Sequence, residues 1–474
     1  MDTSAIRTKT SAIVSDLLTQ SPTEEDKSNL KAFQILHNAY LSGIDSQKKG
    51  IEWDKVEALP AECQVDYFAL DKNIPREETI NLLKKLCLVK INGGLGTTMG
   101  CTGPKGVIEV RNGQNFLDIT VTQLKAITKE YGVVVPLVLM NSFSTQVDTE
   151  NALKKYSNDK DVKILTFLQH KFPRIDADTL LPVTTHLNGR KEEWYPPGHG
   201  DFLQSFVDSA AFKELEKGGI EYVYLSNVDN LGATLDTSIL SYFYKNGMDF
   251  SVELTPKTLN DVKGGTLIKY EQKLKLLEIA QVPKEKIEEF QDIKKFKVFN
   301  TNNIWMKMAS VKSVVEKETL LNNMDIIVNR KMDGERKVIQ LEIAVGCAIS
   351  AFEKTSAVIV PRRRFLPVKS CSDLFVVQST VFNLDKMGHI VDGARKVDEM
   401  PPPIKLSKEY QHVGDYAARL KHIPNIEELK KLDVEGDVLF GEGVVLKGEI
   451  TIKNATGKQV VVEHKTLENE TITF

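Results

Sequence analysis

At 474 residues the chain exceeds one ordinary domain, and at roughly 150 residues per domain it holds about three units. Lys and Arg number 62 against 65 Asp and Glu, a formal charge of −3, which argues against a dedicated nucleic-acid binder with its strong basic excess. Hydrophobic residues at 41% and charged residues at 27% exclude a disordered or fibrous chain, and no apolar run approaches the ~20 residues that span a bilayer.

The N-terminal stretch MDTSAIRTKTSAIVSDLLTQ alternates polar with apolar residues and has no signal-peptide core. The five cysteines (Cys63, Cys87, Cys101, Cys347, Cys371) are odd in number and lack CxxC spacing. They read as cytosolic thiols, which places the protein in the cytoplasm and argues against a disulfide framework or a Cys-rich zinc site. Over residues 1–80 the pattern is helical: Leu17, Leu18, Leu30, Phe33, Leu36 and Leu41 stand at helical intervals. Ser21 and Pro22, followed by Glu24 and Glu25, predict a helix start with acids in its first turn.

The character changes at Leu86. LCLVKI (86–91) is a short apolar run ending at Asn92-Gly93-Gly94, and VVVPLVLM (133–140), VKILTF (162–167) and YVYLS (222–226) resemble it. Between the first two, FLDITVTQLKAITKEYG predicts an amphipathic helix stopped by Gly132. Apolar strands alternating with helices predict a mostly parallel sheet covered on both faces. Ligands of such a sheet sit beyond the carboxyl ends of its strands. Charge runs such as Lys284–Glu289 and Lys294–Lys297 read as solvated helix faces.

The last forty residues follow another rule. Val434, Phe440, Leu446 and Ile452 are spaced by six, as are Val438, Val444 and Ile450. That period fits neither a helix nor one long strand; it fits the stacked turns of a β-helix, with an ordinary meander as the alternative.

The strongest chemical signal is the loop INGGLGTTMGCTGPKG (91–106), with six glycines directly after a strand. Glycines permit positive φ and let backbone N–H groups approach a phosphate. A Walker loop is excluded because Cys101 follows Gly100 where Lys belongs. A dinucleotide fingerprint begun at Gly94 fails at Met99. A tight structural turn remains the competing explanation, but Lys105, closing the loop, places an ammonium beside the same polyanion.

The loop's NGGLGTTMGCTGPK closely resembles the signature of eukaryotic UTP–glucose-1-phosphate uridylyltransferases (UDP-glucose pyrophosphorylases). FLQHKFPRI (167–175), WYPPGHGD (194–201), LSNVDNLG (225–232), KTLNDVKGGTL (257–267), LEIAQVP (277–283), FNTNNIW (299–305) and RFLPVK (364–369) follow in that family's order. The resemblance implies an α/β fold: a nucleotidyltransferase-type mixed, mostly parallel sheet flanked by helices, with a helical N-terminal region and a C-terminal left-handed β-helix. The corresponding divisions are 1–80, a catalytic domain over 81–375, and 376–474 with the β-helix.

The resemblance also implies roles. Ile91, Asn92, Gly93 and Gly94 would line the nucleotide, Gln169 would read uracil, and Gly198 would offer backbone to the uridine end. His199 would contact substrate; no general base is needed, because a sugar phosphate is already ionised at pH 7. Asp229, at the carboxyl end of YVYLS, suits Mg²⁺, which typically takes one or two carboxylates plus substrate phosphates; a helix cap is the bland reading of the same residue. Asn227 would lie near metal and sugar phosphate. Glu278 and Asn302, with Glu253 less surely, would meet sugar hydroxyls. Lys105 and Lys369 would be the catalytic cations, with Arg362, Arg363 and Arg364 as weaker candidates. Related enzymes carry an Arg in the loop where this chain reads Thr97-Thr98-Met99, and the distant Lys369 would supply the missing charge.

The implied reaction joins UTP and glucose 1-phosphate into UDP-glucose and pyrophosphate, without nucleic acid or membrane and with self-association through the C-terminal region. The alternatives are an enzyme acting on N-acetylhexosamine phosphate or several sugars, whose loop more typically reads Gly-Gly-Gln-Gly-Thr-Arg, and a non-catalytic nucleotide-sugar-binding subunit. Lys369 is expected to stand clear of the loop before substrate binds.

Overall fold

In the computed structural model, which describes residues 2–46, 51–259, 261–317, 324–394 and 400–474, the apolar runs form one eight-stranded sheet. Asn260 of the KTLNDVKGGTL motif lies outside the described residues. The strands in chain order are β1 (Gln64–Asp66), β2 (Leu86–Ile91), β3 (Leu137–Asn141), β4 (Ile164–Leu168), β5 (Tyr222–Asn227), β6 (Phe250–Pro256), β7 (Val298–Lys307) and β8 (Thr355–Ile359). Their order across the sheet is β1-β8-β6-β7-β5-β2-β3-β4. Every neighbouring pair is parallel except the two made by β7.

Alternation along β2 shows why both faces must be covered. Leu86 and Leu88 join one core, while Cys87 and Val89 join the other. Helices α1 (Thr3–Leu18) and α2 (Glu24–Asp45) cover the second core with Leu17, Phe33 and Leu36. The first core is covered by α3 (Phe116–Tyr131), ended as expected by Gly132 at φ +71°. C-terminal residues including Leu432, Val434 and Ile450 complete it.

Three expectations need correction. The start of α2 is capped by Thr23, whose Oγ1 accepts from the Asp26 N–H while Asp26 accepts from the Thr23 N–H; Ser21 stands outside at φ +57°. In VVVPLVLM the strand begins only after Pro136, which has no N–H to give a ladder. The helical reading of the first 80 residues fails over 51–70. There Val56–Ala58 pairs antiparallel with Ile268–Tyr270, and β1 extends the main sheet beside β8. Three-residue strands paired with partners far along the chain leave no readable period.

The C-terminal strands are β9 (Leu429–Glu435), β10 (Val438–Phe440), β11 (Val445–Lys453), β12 (Val460–Val462), β13 (Thr466–Glu468) and β14 (Thr471–Thr473). β11 pairs in parallel with β9, β13 and β14, and β10 with β12. Val434, Phe440, Leu446 and Ile452 are all fully buried. A meander would place antiparallel strands side by side, so the parallel pairing excludes it.

Candidate active site

The Gly-rich loop leaves the carboxyl end of β2 and is tied down at once. The Asn92 N–H donates to the Met140 carbonyl (2.8 Å), and its Nδ2 donates to Asn141 Oδ1 (2.7 Å) and Thr149 Oγ1 (2.9 Å). Asn92 is fully buried, so its amide shapes the loop rather than facing the opening. The loop then closes on itself: the Lys105 N–H donates to the Gly94 carbonyl (3.2 Å) and Gly96 to Gly103 (3.4 Å). Ile91 is the half-buried last residue of β2, and Gly94 is exposed with nothing within 4 Å of where a Cβ would stand. A Cβ on Gly93 would come within 2.1 Å of Gln169 Nε2, so the glycine lets this flexible side chain lie directly against the loop. Loop and Gln169 are therefore neighbours, although their motifs are far apart in sequence.

Asp229, two residues beyond β5, holds both candidate cations. Its Oδ2 accepts from Lys105 Nζ (2.7 Å) and Lys369 Nζ (2.8 Å), while its buried Oδ1 has no partner. Burial alone would raise the pKa of this carboxyl, but the Lys369 and Lys105 ammonium groups outweigh it and hold it below the usual range. An unpartnered, ionised oxygen at the mouth of a phosphate loop fits a hard cation such as Mg²⁺. Among the described residues no three His, Cys, Asp or Glu side chains cluster to hold a metal, and a cation held by one carboxylate and substrate phosphates needs no such cluster.

The expectation that Lys369 stands clear of the loop is corrected by that contact. Residues 366–368 are stitched to 229–231: Val368 N–H donates to the Asp229 carbonyl (3.1 Å), Leu231 N–H to the Leu366 carbonyl (3.2 Å), and Leu366 N–H to Asn230 Oδ1 (2.9 Å). The backbone therefore holds Lys369 beside Asp229. Its side chain remains 56% exposed and has room to swing.

The sugar-side candidates divide. Asn302 sits at φ +59° on a bulge where β7 loses register with β6, and the bulge aims its Nδ2 at Asn227 Oδ1 (2.9 Å). Asn302 Oδ1 is buried and unpartnered. Glu278 lies against Gly265, where a Cβ would meet its Oε1 at 2.3 Å. Burial pushes its pKa up, and Lys257 opposes that shift. Glu253 does not belong here. It is fully buried, and its carboxylate accepts from Arg364 Nε and Nη2 (both 2.7 Å), Asn303 Nδ2 (3.0 Å) and Trp305 Nε1 (2.9 Å). A carboxylate so satisfied has little left for a sugar. The same pair removes Arg364 from the phosphate candidates, and Arg362 is held by Asp261 (2.8 Å). Arg363 lies over the Tyr67 ring.

The Gly198-His199-Gly200 turn packs against residues 343–345. Gly198 stands at φ +83°, and a Cβ on it would meet the Ile343 carbonyl at 2.9 Å. His199 Nδ1 accepts from the Val345 N–H (3.2 Å), so the ring proton is on Nε2. Burial, aided by the Lys369 charge, lowers its pKa to about 4. The imidazole is a neutral donor.

Two features escaped the sequence reading. Lys90, inside the apolar run LCLVKI, is buried on β2 with Nζ donating to Ser226 Oγ (2.9 Å) and the Ala233 carbonyl (3.1 Å). Burial lowers its pKa to about 7. A lysine in an otherwise apolar strand was the available signal. The second is the pair His170 and Asp201, joined at 2.6 Å, which stand inside the motifs FLQHKFPRI and WYPPGHGD but drew no role from them.

Buried histidines set a pH dependence of stability. His37 is fully buried; its Nε2 donates to the Leu180 carbonyl (3.0 Å) and its Nδ1 has no partner. Burial lowers its pKa from 6.5 to about 4. The unfolded chain thus binds more protons than the folded one between those values, so this stability is complete above pH 6.5 and is lost as pH falls towards 4. For His37 the loss is on the order of 3 kcal/mol, and His199 acts in the same direction. His170 runs oppositely: burial lowers its pKa, but Asp201 outweighs it and raises it, so its contribution is present at low pH and fades as pH rises. Urea unfolding at pH 7 and pH 4.5 should show a steep loss in the wild type and a smaller one in His37→Gln; equal losses would refute the assignment.

A Gly-rich loop, a buried carboxylate and two lysines gathered over the carboxyl ends of the central strands define a nucleotide-binding, phosphoryl-transferring enzyme class. The model of the UTP–glucose-1-phosphate uridylyltransferase family matches residues 30–447, and the chain belongs to that family. It is 47% identical over 443 residues to UTP–glucose-1-phosphate uridylyltransferase 2 of Dictyostelium discoideum, covering 93% of this chain and 88% of the relative. It is also 47% identical over 454 residues to the Hordeum vulgare enzyme, covering 94% of each. Among solved structures, the UDP-glucose pyrophosphorylase of Leishmania major, known in open and closed forms, superposes with a TM-score of 0.84 at 31% identity over 99% of both chains. The Trypanosoma brucei protein gives 0.82 at 32% identity over 98% of this chain and 99% of the other. Among the described residues no helix is long and apolar enough to cross a membrane.

Proposed function

We propose that the chain catalyses the reversible reaction of UTP with α-D-glucose 1-phosphate to give UDP-glucose and pyrophosphate, in the cytoplasm. The observation that carries this reading is Asp229 gripping Lys105 and Lys369 beside the Gly-rich loop. Gln169 and the backbone of Gly93 and Gly94 receive the uridine. Asn227, Asn302 and Glu278 receive the sugar, and His199 donates from Nε2 to a phosphate oxygen.

An oxygen of the sugar phosphate attacks the α-phosphorus of UTP in line, the new P–O bond forms as the bond to pyrophosphate breaks, and pyrophosphate departs. Repulsion between two polyanions is the barrier to lower, so positioning and electrostatics dominate over covalent chemistry. Lys105 and Lys369 turn from Asp229 towards the phosphates. Asp229 would hold Mg²⁺, which would supply further positive charge near the phosphates. No nucleophile–base pair is required.

Turnover should need a divalent cation and favour UTP over CTP, ATP and GTP, because the amide of Gln169 can supply both a donor and an acceptor to uracil's edge. Assays of UDP-sugar formation with each nucleotide, with excess chelator, and with glucose-, galactose- and N-acetylglucosamine 1-phosphate check this. Comparable rates with ATP, or full activity in chelator, would overturn it.

The division into an N-terminal region to residue 80, helical over Thr3–Leu18 and Glu24–Asp45 but strand-forming over 51–70, a catalytic domain over 81–375 and a C-terminal region from 376 belongs to the same proposal, as does a left-handed β-helix at the C-terminus. Its end strand β14 pairs with β11 and offers a free edge to a second copy. Thr473→Lys, an exposed change on that edge, should lower the assembled mass in solution; an unchanged assembly would refute that interface.

A further inference from the structure

The short segment that carries Gln169 is held from outside the substrate pocket, and every backbone N–H in it is used. Gln169 N–H donates to the Asn141 carbonyl (2.8 Å), His170 N–H to Asp201 Oδ2 (2.7 Å), and Lys171 N–H to Asn29 Oδ1 on α2 (2.9 Å). Asp201 also binds the ring of His170, Oδ1 to Nδ1 at 2.6 Å. Both residues are about 5% exposed. On its far side the ring meets Ser28 Oγ of α2 (3.0 Å), and Ser28 in turn donates to Asp208 (3.4 Å).

The sequence Ser28, His170, Asp201 has the order of a hydrolytic triad, but the chemistry is unsuited to one. Asp201, Asp208 and Glu25 all favour a proton on the ring against the effect of burial. An imidazolium cannot take a proton from Ser28. The arrangement is a strut. A carboxylate has two acceptor oxygens, and Asp201 uses one on the main chain and one on the side chain of the same residue. That fixes the backbone immediately after Gln169. Asp201 itself follows the Gly198-His199-Gly200 turn, whose Gly200 N–H donates to the Ile343 carbonyl (2.8 Å).

We propose that Asp201, acting through His170, is a positioning residue that fixes the backbone carrying Gln169, and with it where the Gln169 amide meets the base beside Gly93, and ties base recognition to the His199 turn. This rests on the reading of Gln169 as the uracil contact. Cytosine presents the reverse donor–acceptor pattern at the position uracil offers, so an amide free to turn would accept both.

The test is the ratio of kcat/KM for UTP and CTP in the full-length enzyme. Gln169→Ala should collapse the ratio; if it does not, the reading of Gln169 fails, whatever Asp201 does. Asp201→Asn should lower the ratio about tenfold, mainly by raising the KM for UTP, with kcat at saturation within about twofold and the KM for glucose 1-phosphate little changed. In the Gln169→Ala background the same substitution should have no further effect on the ratio, which a merely structural role would not predict. His170→Asn, which keeps the main-chain bond and deletes the ring, should give a smaller loss of the same kind. If Gln169→Ala loses the ratio while Asp201→Asn, or a soluble His170→Asn, keeps it, the proposal is overturned. Additive losses in the double variant overturn it equally.

Discussion

Asp229→Ala should abolish turnover while leaving the fold in place. Among the described residues its carboxylate is the one group that touches both Lys105 and Lys369 and still has an unpartnered buried oxygen. The loss should be roughly 10³-fold or more in kcat, about 4 kcal/mol of transition-state stabilisation. The fold survives because the bond that Asp229 gives to the neighbouring segment is made by its backbone carbonyl, to the Val368 N–H. Alanine keeps that carbonyl. The two lysines left behind are 13% and 56% exposed, so neither is stranded as a deeply buried charge. Asp229→Asn, nearly the same shape without the charge, should be almost as inactive. Circular dichroism and urea unfolding check the fold, and steady-state rates at increasing Mg²⁺ check the chemistry. Near-wild-type kcat at saturating Mg²⁺ would show that Asp229 is a structural anchor for the lysines.

Lys369→Ala should lower kcat by about 10²-fold, with a smaller change in the KM for UTP. Before substrate binds, the ammonium already has a partner in Asp229, so moving to a phosphate exchanges one ion pair for another and yields little ground-state affinity. The gain comes as negative charge builds on the transferring group, and binding energy realised in the transition state raises kcat. Lys369→Arg should rescue only in part. A planar guanidinium can still pair with Asp229, but its fixed fork does not reproduce a compact ammonium. Stopped-time product assays over a range of UTP separate the two parameters. Normal kcat with a raised KM would make Lys369 a uniform binder of substrate.

The structure changes the argument for Lys369 in one respect. Distance along the chain suggested an element that reaches the phosphates only on closure. Instead residues 366–368 are bonded to 229–231, which fixes the backbone beside Asp229 and leaves the long, half-exposed side chain as the part free to swing.

The sequence by itself determined the layers and most of the site. Short continuous apolar runs, separated by glycines and amphipathic helices, leave few ways to bury both faces of a strand such as Leu86–Ile91. The six-residue period of the C-terminal region pointed to stacked turns or a meander, and parallel pairing among its strands, with Val434, Phe440, Leu446 and Ile452 all buried, excludes the meander. Long motifs in fixed order marked Lys105, Gln169, Asp229 and Lys369. What tertiary structure alone decided was which polar groups were already committed. Glu253 and Arg364 read as a sugar ligand and a phosphate cation, yet they neutralise each other in the core. Residues 51–70 read as helix, yet strand partners far along the chain claim their backbone. His170 and Asp201 drew no attention, yet they hold the segment beside Gln169. Period and motif report what a residue can do with its sequence neighbours. An ion pair or a three-residue strand depends on partners a hundred residues away, and only the folded chain brings those into contact.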